Sequence, residues 1–213
     1  MEEILKNMDK EKRDKIINSA LEEFSKNVFQ KASTNKIVQK AGISKGLLFH
    51  YFSSKRELYD KLEEYVVRLV SNAIREQVDW TGNDLVERIK QITLIKFKLM
   101  NQYPYLYDFS LTMVKNGSVE ELKSRYEADF ADLMTKVYQE NIDYGLFKED
   151  IDLQKVIRII QWTLDKYGEE FIEKYKQTGK RIEPNQIYTD VEDYLNILKR
   201  AFYKGKKEEE SHD

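Results

Sequence analysis

Residues Ser33 to Leu58, STNKIVQKAGISKGLLFHYFSSKREL, constrain the fold more than any other part of the chain. Ser33 or Thr34 can cap a short helix, because a hydroxyl accepts from the open amides of a first turn. Ile37, Val38 and Ala41 give that helix an apolar side. Gly42 breaks it, since glycine takes the positive φ of a tight turn without a Cβ penalty. Ile43 plugs the turn, and Ser44 caps a second short helix from Lys45 to about Phe52. Ser54-Lys55-Arg56-Glu57 reads as a capping box that starts a third helix. Two short helices across a glycine turn make a helix-turn-helix, here Ser33–Phe52.

The same stretch is one-signed. No acidic residue falls between Glu23 and Glu57, whereas Lys26, Lys31, Lys36, Lys40, Lys45, Lys55 and Arg56 do. Residues 1–60 hold twelve Lys/Arg against nine Asp/Glu, a balance of +3, so the remainder carries −5 of the net −2. A basic head on an acidic body suits a polyanion such as a phosphate backbone at one end only.

AGISKGLLFHYFSSKREL resembles the DNA-binding signature of TetR family transcriptional regulators, and about the first 65 residues carry the resemblance. It implies an all-helical protein. An N-terminal three-helix helix-turn-helix head, residues 1–56, would precede a larger helical ligand-binding and dimerisation domain, residues 57–204. Residues 205–213 read as a disordered charged tail.

Composition agrees with helices. Charged residues are 35% of the 213 and hydrophobic ones 41%, with only two prolines and eight glycines. Ile16, Ile17, Ala20, Leu21 and Phe24 recur at helical spacing and predict a first helix over about 9–27. Further helices are expected over 54–78, from Asn83 or Asp84 to Met100, over 105–115, from Ser118 to about Tyr144 with Gly145 as the stop, over 152–176, and from Pro184 to about Phe202. That makes about nine. No run of about 18 apolar residues predicts a membrane span, and MEEILKNMDKEKRDK lacks the apolar core of a signal peptide. A cytoplasmic location is expected.

Six residues are expected at DNA. In a helix-turn-helix the second helix enters the major groove, its first residues nearest the bases. Lys45 at its start can reach a phosphate or a guanine edge. Gly46 costs a helix up to ~1 kcal/mol relative to alanine, which suggests close backbone approach. If Leu48 and Phe52 point inward, His50 and Tyr51 point outward; Tyr51 could donate to a phosphate and His50 could read a base. The resemblance implies that Lys55 and Thr34 contact phosphate. Position 49 departs from the family, being Phe where Tyr is commonest, so no hydroxyl contact is expected from Phe49.

The resemblance further implies a homodimer on a palindromic duplex, with the last two long helices forming the interface through Ile160, Tyr167, Val191, Tyr194 and Leu198. It also implies a small-molecule effector. Tyr103, Tyr107, Tyr126, Phe130 and Trp162 are candidate pocket residues, because pockets are mostly apolar with a few polar groups. An apolar or aromatic ligand, and release of a repressor from its operator, would follow. No cofactor or metal is expected.

An enzyme is poorly supplied by this sequence. Its only histidines are His50 and His212, and it has no cysteine, so His-dependent triads and Cys/His metal sites lack material. A helical interaction module without specific DNA binding is the other alternative, and the acid-free interval argues against it. An activator of the same fold is not separable from a repressor by sequence.

Overall fold

The structure, a computed structural model, describes residues 1, 5, 8–116, 119–178 and 184–205. Apart from Gly205, the tail expected at 205–213 lies outside the described residues. So do the turn glycine at 117 and most of the polar loop that follows 178.

Nine α-helices occur among the described residues: α1 Lys10–Lys26, α2 Thr34–Ala41, α3 Lys45–Tyr51, α4 Lys55–Gln77, α5 Leu85–Gln102, α6 Leu106–Asn116, α7 Val119–Tyr138, α8 Leu153–Thr178 and α9 Pro184–Phe202. The expected fold class holds. One boundary is corrected: α7 stops at Tyr138, and Gly145 falls instead in a 3-10 turn, Tyr144–Leu146. A buried arginine accounts for the early stop. Arg88 Nη1 donates to the carbonyls of Lys136 and Glu140, both at 2.7 Å, and Nη2 to that of Gly82 at 2.7 Å. The last carbonyls of a helix need such donors when water is kept away.

The described residues form two compact units, one of residues 1–76 and 99–131, the other of 77–98 and 132 onward. The first holds α1, α2, α3 and α6. Its core is the predicted stripe of α1, with Ile16, Ile17, Ala20, Leu21 and Phe24 all buried against Ile37, Val38, Leu48 and Leu58. Each of these side chains larger than alanine contributes about 1.5–3 kcal/mol by leaving water. Tyr59 packs edge to face against Phe24 and Phe29, which stack on each other, and meets Phe109 of α6 edge to face as well.

The second unit packs α8 against α9 through Val156, Ile160, Leu164, Phe171, Ile187, Val191 and Leu195. Asp84 caps α5 by accepting from the amides of Val86 (2.8 Å) and Glu87 (3.1 Å), which decides between Asn83 and Asp84. The same carboxylate takes Lys199 Nζ at 2.9 Å and Tyr203 Oη at 2.7 Å, fastening the end of α9 to the start of α5.

Candidate nucleic-acid interface

The helix-turn-helix is built by its caps. Ser33, not Thr34, caps α2, and Ser44 caps α3 by accepting from Leu47 N at 3.1 Å. Between them Gly42 adopts φ +66°, a left-handed conformation that costs an L side chain roughly 1–2 kcal/mol. Glu23 is buried in α1 and accepts from Ser33 N at 2.9 Å, tying the entry of α2 to α1. The capping box ahead of α4 is shifted by one residue. Ser54 Oγ accepts from Glu57 N, while the Glu57 carboxylate accepts from the amide and hydroxyl of Ser53.

Seven residues leave α3 little choice of face. Leu48 and Phe52 are each 1% exposed and lock it to the head. Lys45, Gly46, Phe49 and His50 are exposed on the other side. Tyr51 is half-buried, with its ring edge-on to His50 at 5.2 Å. Phe49 is turned outward, and its ring lies 5.9 Å from Lys45 Nζ, a cation–π distance that steadies the lysine at the helix start. A Cβ built on Gly46 meets nothing nearer than Ser44 Oγ at 3.9 Å. The free protein therefore has no steric need of glycine there. Thr34 is half-buried in the first turn of α2.

Tertiary packing sorts the seven cations. Lys26 and Lys40 both pair with Glu22 at 2.7 Å. Burial alone would raise the Glu22 carboxyl, but these two hydrogen bonds outweigh it and hold the group below the usual carboxylate range. Arg56 lies 3.9 Å from the Phe29 ring centre and reaches Asp60 at 3.7 Å. Lys55 Nζ donates to the carbonyls of Phe29 (2.7 Å), Ala32 (3.0 Å) and Gln30 (3.2 Å), closing the loop between α1 and α2. Among the described residues, Lys31, Lys36 and Lys45 have no carboxylate partner. Sequence reading missed the loop-closing role of Lys55 because its acceptors are backbone carbonyls, which leave no trace in residue types. The role of Glu23 was partly visible: an acid beside an apolar stripe needs a partner.

The other expected site residues fall in both units. In the first, Tyr103 is buried with its hydroxyl 2.8 Å from that of Tyr65, and Tyr107 is half-buried. Tyr126 lies at a kink in α7 with φ −125° and ψ 21°, and Phe130 is exposed. In the second, Trp162 is 65% exposed on α8. Ile160 and Val191 are buried between α8 and α9 of the same chain. Tyr167 is half-buried and donates to Asp190 at 2.8 Å; Leu198 is half-buried and Tyr194 exposed. Among the described residues no group of three or more His, Asp or Glu could hold a metal ion, and no helix is long and apolar enough to cross a membrane.

A basic, outward-facing short helix held by a glycine turn defines a helix-turn-helix DNA-binding protein. Residues 16–62 match the model of the bacterial regulatory proteins of the tetR family. The HTH-type transcriptional repressor KstR2 of Mycobacterium tuberculosis is 24% identical over 160 residues, covering 71% of this chain and 77% of the relative. Among solved structures, a TetR family transcriptional regulator from Chloroflexus aurantiacus superposes with a TM-score of 0.63 at 19% identity, covering 96% of this chain and 99% of that one. One from Marinobacter aquaeolei gives 0.63 at 20%, covering 94% and 100%. Residues 16–62 thus carry the DNA-binding domain of the tetR family of bacterial regulatory proteins, and most of the chain is similar to TetR family transcriptional regulators.

Proposed function

We propose that the chain is a cytoplasmic repressor that binds a palindromic operator as a homodimer and is released by an apolar or aromatic small molecule. The observation that carries this reading is the outward face of α3. Lys45, Gly46, His50 and Tyr51 would meet the major groove, Thr34 would meet a phosphate beside α2, and Phe49 would pack against a sugar or a thymine methyl. Lys55 acts here chiefly by closing the loop behind α2, with phosphate contact a second role. One short helix touches few base pairs, so two-fold symmetry on a palindrome doubles the contact. Repression is favoured because the curated relative described above is a repressor.

For the dimer, α8 and α9 expose Ile159, Trp162, Tyr194 and Ile197. These would form the contact, with Tyr167 and Leu198 beside them and Ile160 and Val191 supporting them from within. The effector would act by binding one arrangement of the two heads better than the other, since a ligand shifts an equilibrium only by its differential affinity.

Selection from random duplexes, followed by titration at several salt concentrations, tests the reading. An enriched palindrome with a steep salt slope is expected. Absence of any enriched sequence would instead favour an interaction module.

A further inference from the structure

Helix α3 turns one residue squarely away from the head. Leu48 and Phe52, each 1% exposed, fix its inner side. His50 stands two positions from both, about 160° around the helix from each, and so opposite their midpoint. Phe49 and Tyr51 fall about 100° to either side of it. Gly46 lies one turn before His50 in the same row, since positions i and i+4 share a face. Burial follows this geometry: Gly46 and His50 are exposed, and Tyr51 is half-buried.

His50 is oriented but not engaged. Its ring is edge-on to that of Tyr51, with centroids 5.2 Å apart and planes at 75°. Among the described residues it has no hydrogen-bonding or ion-pair partner, and no acid between Glu23 and Glu57 competes for it. An N–H is therefore free to donate outward, because either neutral tautomer of imidazole carries one. An imidazole is also short. It reaches the floor of a major groove only if the helix backbone comes close to the base edges, and the residue one turn ahead sets that distance. That residue is Gly46, where a Cβ would meet nothing nearer than Ser44 Oγ at 3.9 Å. Backbone angle does not demand glycine there either, since Gly42 alone among the described glycines has a positive φ, and alanine would make the more stable helix.

We propose that His50 donates a hydrogen bond to N7 of a purine in each half-site, and that Gly46 supplies the clearance this contact needs. N7 is the acceptor that guanine and adenine share at the major-groove edge. Cytosine presents a donor there, and the O4 acceptor of thymine stands beside a C5-methyl that an approaching ring would strike. The inference rests on the operator-binding reading above and adds the class of base that α3 reads and the atom it reads it by.

The test uses the full chain and the duplex that it enriches from a random pool. Each purine is replaced in turn by its 7-deaza analogue, which puts C–H in place of N7 and leaves base pairing intact. One purine per half-site is expected at which the wild-type protein loses roughly three- to tenfold in affinity, the size of one hydrogen bond. His50→Ala should be indifferent to that replacement, while its response at every other purine stays as in wild type. Gly46→Leu should lose the same discrimination. Neither variant should melt below wild type, so that the loss reads the contact and not the fold. Exchanging guanine and adenine at the position identifies the source: equal affinity leaves N7 the whole contact, and a preference names the purine taken. A wild-type protein indifferent to every 7-deaza replacement would overturn the proposal. So would a loss that persists in His50→Ala, or a discrimination that Gly46→Leu keeps. If no sequence is enriched at all, the regulator reading fails; if one is enriched and N7 proves immaterial, only this inference fails.

Discussion

Lys55 and Phe29 meet twice: the lysine ammonium donates to the Phe29 carbonyl at 2.7 Å and lies 4.7 Å from the centre of its ring. With the bonds to Gln30 and Ala32, this joins the start of α4 to the loop that delivers the chain into α2. Lys55→Met would strand three carbonyls. A loss of about 1–3 kcal/mol in unfolding free energy is expected, the cost of unsatisfied acceptors near a charged donor. Urea denaturation measures it, and a loss below a few tenths would show that the loop closes without the lysine.

Lys40 and Lys45 are both exposed lysines in the acid-free interval, yet Lys40 is held by Glu22 at 2.7 Å. Lys45→Ala should lower the slope of log affinity against log salt by about 0.9, the share of one phosphate contact. Lys40→Ala should leave the slope nearly unchanged. Equal effects would mean that the Glu22 pair opens on DNA.

Gly46→Ala has room in the free protein, where its Cβ would meet only Ser44 Oγ at 3.9 Å. Stability should rise by about 0.5–1 kcal/mol, because alanine loses less entropy in a helix. Operator affinity should fall if backbone approaches DNA at this point. A thermal melt beside a binding curve separates the two, and a variant that is more stable with unchanged affinity would remove Gly46 from the interface.

Asp84 gathers Tyr203, Lys199 and the amide of Glu87. Burial opposes its charge, but these bonds prevail and hold its carboxyl below the usual range. A depressed folded pKa gives stability that is present above the unfolded value and lost as pH falls through the folded one. The acid limb of stability, below about pH 4, should therefore flatten in Asp84→Asn, whose neutral-pH stability should be lower than wild type. Melting midpoints across pH 2.5–7 would check this (~0.5 pH steps suffice to resolve one carboxyl); an unchanged acid limb would assign the acid sensitivity to other carboxylates.

The head was legible in the residues because its signals are local. Ser33, Gly42 and Ser44 act on amides or backbone angles within a few positions, and the α1 stripe needs only periodicity. Helix order followed for the same reason, and the structure shows that the bounds expected at about 9–27 and at 152 fall on capping residues, Asp9, Asn27 and Asp152. The end of α7 was misread because Gly145 is a local signal, whereas the real stop involves Arg88, about fifty residues earlier in the chain.

The sequence by itself determined where helices start and turn, which face of each is apolar, and that positive charge collects in the head. Those properties depend on neighbours within a turn or two. Only tertiary structure decided which charges remain available. Glu22 takes Lys26 and Lys40, three backbone carbonyls take Lys55, and Lys45 is left facing outward. Burial and pairing depend on residues brought together from distant parts of the chain, so residue type alone does not determine them.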